Sequence, residues 1–98
     1  MRRNSKTIDM KTIPGFKLRT LGTDHILLAE GVEQINFNKM VAMNQSAAFL
    51  WENVEGKEFS ADSMTELLTS HYDVSEDVAR ADVGKLIANW LEAGIIEE

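Results

Sequence analysis

Near Asn44 the spacing of apolar positions along the chain changes from two residues to about 3.6. Before that point Phe16, Leu18 and Thr20 alternate with Lys17, Arg19 and Leu21, a pattern that predicts a strand with one buried face. Gly22-Thr23-Asp24 reads as a hairpin turn and His25-Ile26-Leu27-Leu28-Ala29 as a second strand, which Glu30-Gly31 breaks. Gln34-Ile35-Asn36-Phe37 alternates again. Asn38-Lys39 then reads as a two-residue turn into a strand at Met40-Val41-Ala42-Met43. The first half thus predicts an antiparallel meander of three or four short strands.

The second half predicts three helices. Asn44 is suited to cap the first, because its side-chain oxygen can accept from an unpaired N–H of the opening turn. Ala47, Leu50, Trp51 and Val54 form its apolar side, and Glu55-Gly56-Lys57 ends it. Ser60 caps a second helix that runs to about His71, with Phe59 and Met64 at hydrophobic-staple spacing. Ser75 caps the third, with Glu76 and Asp77 in its first turn, where the helix dipole favours acids. Its stripe is Ala79, Val83, Leu86, Ile87, Trp90 and Leu91, and Gly94 stops it. Ile95-Ile96 is expected to fold back as a hydrophobic clasp or a short strand. Strands first and helices after give an α+β fold, a small sheet with three helices on one face. The second and third helices, joined through Asp73-Val74, suggest a winged helix-turn-helix.

Length and composition narrow this picture. At 98 residues the chain has room for one core, and an apolar content of 44% with 27% charged residues suits a globular domain. Residues 1–14 read as a flexible basic tail ending at the turn signal Pro14-Gly15, with the domain proper at 15–98. No apolar run follows Arg2, Arg3 and Lys6 as a signal peptide would require, and none is long enough to span a bilayer. A soluble, cytoplasmic protein without a membrane partner is expected. The formal charge of −6 is uneven: residues 1–20 carry +5 and the remainder −11.

Candidate chemistry is sparse. Without Cys there is no thiolate nucleophile and no thiolate-ligated metal. His25 and His71 stand apart from any second ligand-type residue, and the six glycines sit singly, so neither a metal site nor a phosphate loop is expected. Asp73, Glu76, Asp77 and Asp82 cluster near the start of the third helix, where dipole compensation already accounts for acids. These features point away from an enzyme and towards a binding module that uses no cofactor. Nucleic acid is a poor partner for it. Residues 44–98 hold only Lys57, Arg80 and Lys85 against twelve Asp/Glu, and phosphate neutralisation needs cations.

Met43-Asn44-Gln45-Ser46-Ala47-Ala48-Phe49-Leu50-Trp51 resembles the run L-N-E-T-A-A-x-I-W of the PqqD-like family. Tyr72-Asp73-Val74, Ala81-Asp82-Val83 and the terminal Leu91-Glu92-Ala93-Gly94-Ile95-Ile96 resemble that family in order and spacing, so the likeness spans about residues 16–96. Gln45 stands where the family usually has Glu, and residues 32–38 lengthen the link before the last strand. The family comprises small proteins of pyrroloquinoline quinone biosynthesis and related recognition elements for ribosomally made, modified peptides. The resemblance implies a winged-helix-like domain that takes a precursor's leader as an added strand and presents it to a modifying enzyme, often a radical S-adenosylmethionine enzyme. The implied edge is Met40, Val41, Ala42 and Met43, and the implied groove wall is Asp82, Lys85, Leu86 and Asn89, with Lys85 suited to an acidic leader. A DNA-binding winged helix, or an adaptor that binds no leader, is the alternative. A monomer or weak dimer is expected.

Overall fold

The computed structural model describes residues 9–29 and 40–98. The expected strand at 34–37 and the turn at 38–39 lie outside the described residues. Nine elements follow in order: β1 (Met10–Thr12), β2 (Phe16–Leu21), β3 (Asp24–Ala29), β4 (Met40–Met43), α1 (Gln45–Val54), β5 (Glu58–Phe59), α2 (Ala61–His71), α3 (Glu76–Ala93) and β6 (Ile96–Glu97). The architecture is α+β, with two three-stranded antiparallel sheets rather than one.

One sheet is the expected meander in the order β2-β3-β4. Its hairpin closes at Leu21 and Asp24 over Gly22-Thr23, with Gly22 at a φ of 65°, a left-handed conformation that favours glycine. Register pairs Leu18 with Leu27 and Leu27 with Val41, so these three share the face that packs on the helices. Phe16, Leu27 and Met43 on that face are buried.

The second sheet, in the order β5-β1-β6, corrects the reading of residues 10–12 as loose tail. Met10 and Thr12 are buried, Met10 lies opposite Phe59, and Thr12 lies opposite Ile96. Thr12 Oγ1 also accepts from the Gly56 N–H at 2.9 Å, tying β1 to the turn after α1. A three-residue strand shows no periodicity of its own. What holds β1 is partners from two distant parts of the chain.

The helices follow their capping residues. Asn44 Oδ1 accepts from the Ala47 N–H at 2.8 Å, and Ser60 and Ser63 cap each other's backbone reciprocally at 2.9 and 3.1 Å. Ser75 Oγ accepts from Val78 at 3.3 Å. Gly94, with a φ of 78°, donates to Trp90 and Leu91, and Ile95 donates to Trp90, which closes α3 in a Schellman turn. Trp51 and Trp90 meet edge to face at 5.3 Å in the middle of the core, beside Leu50, Met64 and Val83.

Candidate functional site

Among the described residues the β2-β3-β4 sheet ends in two unpaired edges, and they differ in chemistry. Along β2 the exposed side chains include Lys17 and Arg19; charges of this kind discourage further strand pairing. β4 carries no charge. Met43 is buried and Val41 half-buried against the core, while Met40 and Ala42 face outward. One side of β4 pairs with β3, Met43 opposite His25 and Met40 opposite Leu28, and no described strand pairs with its other side.

Where β4 ends, Asn44 turns the chain into α1, and a cleft of about 210 Å³ opens there. Asp82, Lys85, Leu86 and Asn89 of α3 form one wall; Asn44, Ser46, Ala47 and Leu50 form another, with Leu68 of α2 at the base. The spacing of three and four residues puts the α3 set on one flank of the helix. The adjoining flank, Ala79, Val83 and Trp90, is buried, with Ile87 half-buried beside it. All four α3 residues singled out in the sequence therefore share one cleft, which begins at the residue following β4. Asn44, Ser46 and Leu68 also line it. Asn44 declared itself in sequence as a cap, a role that masked its place at the cleft mouth.

Other openings have a different character. A cleft of about 420 Å³ lies at the β1–β2 corner, next to the charged edge of the sheet. Lys11, Lys17 and Lys57 surround it together with Glu55 and Glu58. One of about 440 Å³ lies between α1, β5 and α2. Both are larger than the cleft beside β4, but neither adjoins an uncharged open edge.

His71 is exposed and stacks on Phe49 with ring centroids 4.0 Å apart, and His25 Nδ1 lies 3.0 Å from Thr20 Oγ1. Among the described residues no group of three or more His, Cys, Asp or Glu is placed to hold a metal. Nor, among them, is any helix long and apolar enough to cross a membrane. At the opening of α3, Arg80 bonds Asp62 at 2.7 Å and Glu76 at 2.9 Å. Hydrogen bonding to Asp62, then to Glu76, raises the guanidinium's pKa above its ordinary value.

Among the described residues these features define the class: an α+β domain with an uncharged, unpaired strand edge beside a helix-walled cleft. The chain belongs to the PqqD family, since residues 24–96 match the family described as coenzyme PQQ synthesis protein D. No curated protein matches it in sequence. Two solved structures share the fold. One is a lasso peptide synthetase B1 complexed with the leader peptide, 20% identical, with a TM-score of 0.68 over 91% of this chain and 98% of the other. The second is TbiB1 in complex with the TbiA(β) leader peptide, 12% identical, with a TM-score of 0.68 over 89% of this chain and 94% of the other.

Proposed function

We propose that this protein captures the leader of a ribosomally made precursor peptide as a strand added to β4, and presents it in the cytoplasm to a separate modifying enzyme. The observation that carries this reading is the contrast between the two sheet edges: β2 is charged, whereas β4 is uncharged and runs into the cleft walled by α3. An incoming backbone pairs with the open N–H and C=O groups of β4, which gives affinity with little demand on sequence. Side chains of the added strand alternate, and those turned inward meet Asp82, Lys85, Leu86 and Asn89, which sets specificity. The leader peptides in both similar structures support the same reading.

Catalysis in this scheme belongs to the partner, a radical S-adenosylmethionine enzyme or another peptide-modifying enzyme. The protein's own part is binding and orientation. A DNA-reading role is the poorer fit: Arg80, the cation nearest the start of the would-be recognition helix, is engaged by Asp62 and Glu76.

The test is a titration of the isotope-labelled protein with leader peptides of precursors encoded beside it. Amide shifts should concentrate on Met40–Met43 and on Asp82, Lys85, Leu86 and Asn89. A leader N-methylated at alternate backbone positions, which removes its edge-facing donors, should bind at least about tenfold more weakly. Shifts centred on β2, or equal affinity for the methylated peptide, would rule out strand addition at β4.

A further inference from the structure

The outer face of the β2-β3-β4 sheet, turned away from the helices, has a composition that leader capture does not explain. Register places Lys17, Leu28 and Met40 in one row across it, Arg19, Ile26 and Ala42 in the next, and Leu21 with Asp24 at the hairpin end. Leu21 is 68% exposed and Met40 61%, two of the three most exposed large apolar side chains among the described residues. Ile26 and Leu28 lie half-buried between them. The face thus has an apolar centre on β3 and β4 and a cationic margin on β2, the anatomy of a protein interface rather than of a solvated sheet.

We infer that this face is the docking surface for the enzyme that modifies the captured peptide, through an enzyme surface with an apolar centre and carboxylates along one side. The inference rests on the leader-capture reading, because β4 serves both surfaces. Its edge takes the peptide, and its outward side chains Met40 and Ala42 belong to the apolar patch, so an enzyme seated there abuts the bound strand. Charge selects the occupant. Among the described residues, a second copy stacked on the same face offers one carboxylate, Asp24, and sets the Lys17 margin of one copy against that of the other. Nucleic acid would meet an apolar centre where it needs phosphate contacts. An anionic bilayer, charged across its whole plane, would meet a chain of net charge −6 and only a narrow cationic margin on this face.

Lys17 and Leu21 suit a test, since both are exposed and lie on β2, two strands from the peptide edge. In the producing organism, mass spectrometry identifies the modified peptides that disappear when this chain is deleted, and the chain is restored as wild type, as Lys17→Glu/Leu21→Asp, or as Glu66→Lys at an exposed position of α2. The double variant should bind the synthetic leader of that peptide within twofold of wild type, yet restore less than about one-tenth of the modified product, while Glu66→Lys restores all of it. Full restoration by the double variant overturns the docking surface. A parallel loss of leader affinity also overturns it and assigns the face to the peptide site. Wild-type dimers that the double variant dissolves, or wild-type binding to phosphatidylglycerol vesicles, would hand the face to a second copy or to a membrane. If deletion changes no peptide, the leader-capture reading falls first and takes the docking role with it.

Discussion

Gly84 sits inside α3 with a helical backbone and open space around the position a Cβ would take. Ala there reduces the freedom of the unfolded chain without a clash, so Gly84→Ala should raise stability by about 0.5–1 kcal/mol in urea unfolding. Gly22 is equally open in space but has a φ of 65°, so Gly22→Ala should instead cost about 1 kcal/mol. The core offers a second contrast. Leu50→Ala should cost about 2–5 kcal/mol, because Leu50 is buried among close-packed neighbours. Trp51→Phe should cost less than Leu50→Ala: it also removes a buried indole N–H that finds no acceptor among the described residues. Both variants can be read by thermal unfolding.

The helix boundaries were legible because they depend on single side chains bonding to neighbouring backbone. Asn44, Ser60, Ser75 and Gly94 each stop or start a helix where the sequence places them. The strands β1 and β5 were not, being two or three residues long and held by partners far along the chain, whereas Ile95-Ile96 already suggested the fold-back that becomes β6. The Arg80–Asp62 bridge between α2 and α3 was equally hidden, for it joins residues whose proximity only packing reveals. For the site, spacing along α3 put Asp82, Lys85, Leu86 and Asn89 on one flank, but only the three-dimensional structure joins that flank to Asn44 and Leu68. A prediction belongs to this wall. If Lys85 greets the leader, Lys85→Glu should weaken an acidic leader several-fold and strengthen a basic one, with the difference shrinking as salt is raised. Fluorescence anisotropy of two labelled leaders at low and high ionic strength measures both effects.

Across the whole molecule, the two sheets divide the labour. The β2-β3-β4 sheet offers the surfaces proposed to meet other molecules, while β5-β1-β6 ties the start of the described chain to its end and to the turn after α1. Met10→Ala should therefore destabilise the entire domain by about 2–5 kcal/mol in chemical denaturation, not merely loosen its first residues. The pairing of Lys11 with Glu97 also brings the beginning and the end of the fold side by side, in the sheet that lacks the β4 edge. A short linker could join them and the chain be reopened at the Gly22-Thr23 tip, giving a circular permutant with the same core. By the same geometry, the domain can be spliced into a loop of a larger polypeptide, as a plug-in cassette that leaves its host's framework in register.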